Sequence, residues 1–425
     1  MAEFYSSRMQ PTGAGRPPAG RDIALEGLRG LCALSVFYGH ATAPIPCLDP
    51  AYSPPAQFWW LDMGSVAVLI FFVLSGYVIG LTVKASFSAA AARGYLGRRL
   101  LRLAPVNAAA VLISWALAPR VPAGTVLGNL AFLENSNPYF FGWRVPVLPN
   151  NLSLWTLNFE AFYYVLFLGI WRLAPRAGWL FGSLALAAVA AAALPGFPQV
   201  ISCYASGGLY WFAGLSIAWL APPDPGQGNW PSALLMAAVA WPLAPFRHLF
   251  SAWQIHDLSN PTLALMRLDV LPVAVWLLLA LTGRARKWHM RLAVFSLALA
   301  TLALARRFAA ADFGDAGRNA FVADAIAVGL AWVLVKWKPE PTVLARLAPV
   351  GLVSFGLYAV SLALQFGILG QPLLPRGTAW SYSLRLALLI LLSLGIAWML
   401  ERRFQPVLRR WLMGPGPSGG PPRRA

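Results

Sequence analysis

Twelve apolar runs follow one another along this chain, at roughly 28–46, 63–83, 100–118, 153–171, 177–194, 204–221, 231–246, 264–282, 291–305, 319–335, 347–368 and 380–400. A run of about 20 apolar residues spans the ~30 Å hydrocarbon core of a bilayer as a helix. Lipid offers the backbone no hydrogen bonds, so a spanning segment must satisfy its own. Composition agrees: 58% of the 425 residues are hydrophobic and 11% are charged, against about 25% charged in soluble domains. The chain reads as an all-α, polytopic integral membrane protein.

Charge sets the expected orientation. The chain carries 33 Lys and Arg against 15 Asp and Glu, a net charge of +18. The basic residues cluster in alternate loops: Lys84 with Arg93, Arg98, Arg99 and Arg102; Arg172 with Arg176; Arg284, Arg286, Lys287 and Arg291; Lys336, Lys338 and Arg346; and Arg402, Arg403, Arg409 and Arg410. By the positive-inside rule these loops and both termini are cytosolic. A loop-borne charge of this kind is a sorting signal, so no nucleic-acid partner is expected. Cys32, Cys47 and Cys203 are odd in number and have no ligand-like spacing, so neither a disulfide framework nor a metal site is expected. Residues 1–22 and 413–425, rich in Gly, Pro and Arg, read as disordered cytosolic tails around one transmembrane domain over 23–412.

Four stretches carry polar chemistry into the apolar runs. In the first, Glu26, Arg29 and His40 fall on one helix face. Eleven residues separate Arg29 from His40, which is about 16 Å of helix and about 20° of rotation. An ionisable group inside a membrane segment is a functional candidate by default, and an imidazole with a pKa near 6.5 suits general base work. In the second, Arg98, Arg99 and Arg102 open the third run at i, i+3 and i+4 spacing, so they are expected to converge as a site for a phosphorylated ligand. The third is Trp155-Thr-Leu-Asn-Phe-Glu160-Ala-Phe-Tyr-Tyr164. Glu160 needs a partner there and, entering from the outer side, is expected to meet His40 in a shared cavity. The fourth, Phe72-Val-Leu-Ser75-Gly76-Tyr77, is uncharged, and its small residues suit close helix approach. His248, His256 and His289 have no acidic partner in the sequence pattern.

Together these stretches resemble the membrane-bound acyltransferase-3 family, the integral-membrane O-acyltransferases of bacterial surface glycans. The likeness rests on Glu26-Gly-Leu-Arg29-Gly with His40, Phe72 to Tyr77, the Arg98/Arg99/Arg102 run before Pro105, Trp155 to Glu160 with Tyr164, and Ser354-Phe-Gly-Leu-Tyr358 with a late Glu401. Four features depart from the family pattern: Glu26 stands for the usual Asp, Ser361 for a common His, the Pro after the last Glu is displaced to Pro406, and ten helices are usual. The expected count is therefore 10–12 transmembrane helices.

The resemblance implies acyl transfer, acetyl first, from cytosolic acetyl-CoA or another acyl-CoA to a hydroxyl of an extracytoplasmic polysaccharide or glycolipid such as an exopolysaccharide. His40 and Glu160 would be catalytic. Arg29, Arg98, Arg99 and Arg102 would hold the acyl-CoA, with Glu26, Trp155 and Tyr164 in support. Acyl-CoA is a co-substrate, and no bound cofactor is implied. Membrane lipid and a polysaccharide synthase or export complex are the further partners, and the bacterial inner (plasma) membrane is the expected location. His40 would deprotonate the acceptor hydroxyl, or carry the acyl group covalently. Two other readings fit the residues: a proton-coupled transporter or flippase, and a non-catalytic membrane subunit of a polysaccharide synthesis complex.

Overall fold

The structure, a computed structural model, describes residues 19–42, 48–55, 64–118, 120–134, 145–193, 199–221, 270–284, 286–311, 317–334, 342–369, 371 and 374–413. Helix α1 spans Ala19–Thr42, α2 Gly64–Thr82, α3 Ala89–Leu117, α4 Ala123–Leu130, α5 Trp155–Leu173, α6 Ala177–Ala193 and α7 Gln199–Leu220. Then come α8 Val270–Thr282, α9 Arg286–Ala309, α10 Gly317–Leu334, α11 Thr342–Gly351, α12 Ser354–Leu369, α13 Ala379–Trp398 and α14 Gln405–Met413. Among the described residues there is no strand, only two isolated bridges, so the all-α expectation holds. Most of both expected tails, and the apolar run at 231–246, lie outside the described residues, while α1 begins at Ala19, inside the tail boundary placed at residue 22.

Four helices among the described residues are long and apolar enough to cross a membrane: Ala89–Leu117, Leu152–Leu173, Arg291–Ala309 and Ala379–Leu412. The pair Leu344–Gly351 and Ser354–Leu369, bent by 68°, makes a fifth if taken as one span. The count covers the described residues only, and these omit the apolar run at 231–246 and the first part of that at 264–282. Val66–Thr82, Ala177–Ala187 and Val270–Thr282 are apolar but short, and Glu26, Arg29 and His40 hold down the hydropathy of α1.

Local chemistry sets the helix ends. The Ser88 hydroxyl caps α3 by accepting from the Ala91 N–H at 3.1 Å, and Thr378 and Ser381 form a reciprocal capping box on α13. Ala174 takes a left-handed conformation (φ 44°) to close α5 ahead of Pro175. Pro349 lies near the end of α11, where a missing N–H favours the break before α12.

Helix α2 is apolar around its whole circumference and forms the centre of the bundle; Val66, Leu69, Phe72, Val73, Leu74, Tyr77 and Ile79 are all buried. Two crossings are close enough to require glycine. A Cβ on Gly76 would lie 1.8 Å from the Trp211 carbonyl oxygen, and one on Gly214 1.9 Å from that of Val73, so α2 and α7 meet backbone to backbone. At the crossing of α1 and α11, a Cβ on Gly27 would lie 2.0 Å from the Leu344 oxygen and one on Gly351 1.8 Å from that of Glu26. Association in lipid relies on such packing, which makes Gly76 a packing residue as expected.

A buried polar latch ties the loop after α1 to α13. Asp49 accepts from the Ala51 N–H at 2.9 Å, from the Gly377 N–H at 3.1 Å and from the Ser381 hydroxyl. Arg385, fully buried, lies 3.9 Å from the same carboxylate. Its guanidinium also donates to the carbonyls of Ile368, Leu374 and Pro375. Neither residue stands out in the sequence, because 336 positions separate them.

Two outcomes follow for thermal stability in detergent. Gly214→Ala is expected to destabilise by at least about 1–3 kcal/mol, because neither backbone can yield without separating α2 from α7. Asp49→Asn is expected to cost about 3–5 kcal/mol, because it leaves Arg385 without its counter-charge. Burial raises the Asp49 pKa, but the bonds from Ser381, Ala51 and Gly377, with Arg385, outweigh it and leave the pKa below the usual 3.8. The folded form therefore gains stability above pH 3.8 and loses it as pH falls through the lowered value. A melting series should show that acid-side loss in the native protein and a smaller one in Asp49→Asn.

Candidate active site

The polar residues of the apolar runs gather at one pocket of about 60 Å³, lined by Arg29 of α1, Ser75 of α2, Arg102 of α3, Thr156 and Glu160 of α5, and Ser354 and Tyr358 of α12. Apolar walls come from Val68, Phe71, Phe72, Leu157 and Phe355. Five helices far apart in sequence thus meet around two guanidinium groups and a carboxylate.

Each charge has an identifiable counterpart. Arg29 donates to Glu26 Oε1 at 2.6 Å, three residues before it on the same helix. Glu160 Oε1 accepts from the Ser75 hydroxyl at 3.1 Å and from the Tyr164 hydroxyl. Arg102 interacts electrostatically with Tyr164, Glu160, Glu401 and Glu26, and among the described residues its side chain makes no hydrogen bond. Tyr358 donates to the Ser153 carbonyl at 2.9 Å and accepts from Thr156 Oγ1 at 2.8 Å, which fixes the pocket wall on α12.

Glu401 completes the cluster from the far end of the chain. It lies in a wide turn, Met399–Phe404, between α13 and α14, with hydrogen bonds of π-helical type. Its Oε1 accepts from the Gly356 N–H at 2.5 Å, one of the free amides in the first turn of α12. A Cβ on Gly356 would lie 2.9 Å from Ala397 Cα and 3.0 Å from the Glu401 carboxylate, so the glycine admits the carboxylate to the helix end. The next residue but three, Gln405, donates to the Arg102 carbonyl at 2.6 Å. Ser354, Tyr358 and Glu401, weakly marked in the sequence, are therefore neighbours of the arginines. No local pattern signals the wide turn that brings Glu401 in.

Of Arg98, Arg99 and Arg102, only the last two approach the pocket. Arg102 lines the pocket. Arg99 donates to Thr82 Oγ1 at 2.8 Å and lies over the rings of Tyr95 and Tyr164, at 5.7 and 5.5 Å. Arg98 is exposed beside Gly94, one turn nearer the end of the helix, and is not a lining residue. Trp155 does not line the pocket either; its ring packs edge-on against Phe159 at 5.4 Å.

His40 and Glu160, expected to share a cavity, are separated. His40 is not a lining residue; it lies in the last turn of α1, about 16 Å along the axis from Arg29. Its Nδ1 is buried and has no hydrogen-bond partner among the described residues, and its carbonyl accepts from Gln365 Nε2 at 2.9 Å. The cause is the depth at which α5 begins. Asn151 donates to the Ala359 carbonyl at 2.8 Å, and Thr156 meets Tyr358. Helix α5 therefore starts inside the bundle, level with the second turn of α12, and Glu160 falls beside Arg29 rather than beside His40.

Comparison with known families agrees with this constellation. The acyltransferase-3 family model, described as an acyltransferase domain, matches residues 22–402. The chain belongs to the acyltransferase-3 family, whose members are membrane acyltransferases, and is a multi-pass membrane protein. No curated protein and no solved structure gives a significant match.

The Glu26–Arg29 pair generates a stability test. Glu26→Ala leaves a largely buried guanidinium without its ion pair; the Glu26 side chain is 27% exposed, so the loss is expected at or below the ~3 kcal/mol end for buried pairs. Glu26→Asp keeps the charge at the same i, i+3 spacing and is expected to retain most of that stability. Thermal midpoints of the two variants in detergent compare them directly.

Proposed function

We propose that this acyltransferase moves an acyl group, acetyl in the first instance, from cytosolic acyl-CoA to a hydroxyl of an extracytoplasmic glycan. One observation carries the reading. The guanidinium of Arg102 stands in a buried pocket with carboxylates on several sides and no hydrogen bond of its own among the described residues. Such a group suits a phosphate of the acyl-CoA, which guanidinium binds through charge-assisted hydrogen bonds. Arg29 is held by Glu26 and Arg99 by Thr82 and two tyrosine rings, so they frame the donor site. Arg98 belongs to the exposed surface.

The basic loops favour placing the Arg29 end in the cytosol, where acyl-CoA is made. The other end of α1 carries His40, whose Nδ1 has no partner among the described residues. In this reading the acceptor enters from the outer side. His40 takes the proton from its hydroxyl, and the oxygen attacks the thioester carbonyl. The carbon–sulfur bond breaks, and the leaving thiolate takes the proton back from the imidazolium, so charge and protons balance. Glu160, fixed by Ser75 and Tyr164, does not orient His40; it holds the polar wall opposite Arg29 and Arg102. An exopolysaccharide is the acceptor we favour, in the inner membrane of a bacterium, where a synthase or export complex would deliver it.

The test uses purified full-length protein and radiolabelled acetyl-CoA. His40→Ala is expected to keep its thermal midpoint and lose about 10²–10⁴ in transfer rate. Arg102→Gln is expected to raise the KM for acetyl-CoA more than it lowers kcat. A folded His40→Ala protein with full transfer overturns the assignment of the base. Substrate flux in proteoliposomes without acyl-CoA, with no transfer in detergent, supports a transporter instead.

A further inference from the structure

A second cavity lies outside the polar pocket and shares no lining residue with it. It is an open groove of about 600 Å³ between the first half of α3 and α14. Its walls are Gly97, Leu100, Leu101, Ala104 and Pro105 on one side and Leu408 and Leu412 on the other, with Arg93 at its edge. The volume falls within the ~300–1,000 Å³ of ordinary ligand sites, and the lining is almost wholly apolar.

Its surroundings identify the occupant. Arg98 is exposed one turn from Arg93, and Arg409 and Arg410 are exposed on α14. No acidic residue occurs between Asp62 and Glu134, and none follows Glu401, so neither wall offers these arginines a counter-charge from its own stretch of chain. Both walls belong to segments apolar and long enough to cross a membrane, Ala89–Leu117 and Ala379–Leu412. Leu100 and Leu412 are half exposed, and Trp411 is 79% exposed beside them. Helix α14 therefore has the mark of an interfacial helix, with arginines and large apolar side chains both unburied. A ligand that matches an apolar trough rimmed by guanidinium groups with no ion pair among the described residues, opening on a membrane-facing surface, is an amphiphile with an anionic head.

We infer that the groove between α3 and α14 is a binding site for an anionic phospholipid. Its acyl chain lies against Leu100, Leu101, Ala104, Leu408 and Leu412, and its phosphate meets Arg93 and Arg98. The site is separate from the acyl-transfer pocket. It tethers the C-terminal helix to α3 across a contact that protein atoms leave open, with Gln405 on the Arg102 carbonyl as the neighbouring direct bond.

The experiment is native mass spectrometry of the full-length chain in detergent with equal amounts of phosphatidylglycerol and phosphatidylcholine. The native protein is expected to retain phosphatidylglycerol preferentially. Arg93→Gln combined with Arg98→Gln removes about 1 kcal/mol of attraction per arginine, or roughly a 25-fold loss of phosphatidylglycerol affinity for the pair, with phosphatidylcholine little changed. Gly97→Trp fills the groove instead. A Cβ at Gly97 meets nothing within 4 Å, so this variant is expected to fold, as an unchanged thermal midpoint in detergent would show, and to lose both lipids. Equal retention of the two lipids by the native protein overturns the proposal, as does undiminished phosphatidylglycerol binding by a folded Gly97→Trp. If the native chain is dimeric and Gly97→Trp makes it monomeric without changing bound lipid, the groove is a contact between copies and the lipid site is refuted.

Discussion

A guanidinium buried among apolar helices has to be met by a carboxylate, and most of this bundle's polar architecture follows from that requirement. Taking a charge out of water costs several kcal/mol unless a partner offsets it. Arg29 is met within its own helix by Glu26. Arg385 is met by Asp49 from another loop and by backbone carbonyls. Arg102 is met at a distance, by Glu160 and Glu401. The three solutions differ in what they leave over. The first two carry direct ion pairs that hold the fold, whereas the third leaves the Arg102 guanidinium in the pocket without a hydrogen bond among the described residues.

Close packing is what lets these partners meet. The glycine crossings bring α1 against α11 and α2 against α7 with backbone in contact. They set the levels at which Arg29, Ser75 and the start of α12 stand relative to one another. The bend of 68° before α12 then exposes the first amides of that helix to Glu401. The electropositive helix end and the arginines thus share one carboxylate.

Much of this was legible in the sequence, and the limit is physical. Glu26, Arg29, Arg102, Glu160 and Tyr164 stood out because each breaks an apolar run, and the pocket contains or touches all of them. Their spacing along a helix correctly put Glu26 within reach of Arg29. Spacing within one helix says nothing of where a neighbouring helix begins, so the depth of α5, and with it the separation of Glu160 from His40, is not written in the sequence pattern. Arg98 was grouped with Arg102 because i, i+4 residues share a face, yet one turn of axial rise was enough to leave it at the surface. The Asp49–Arg385 latch and the Glu401 turn depend on contacts more than 40 residues apart, which periodicity cannot register.

The position of Glu401 has a consequence for biosynthesis. Arg29, Ser75 and Arg102 emerge from the ribosome within the first quarter of the chain, and Glu160 soon after. The carboxylate that caps α12 and balances the arginines arrives only with residue 401 of 425. Until then the nascent bundle holds an electropositive centre without its full set of counter-charges. A chain that stops short of residue 401 lacks the carboxylate that caps α12 and faces the arginines.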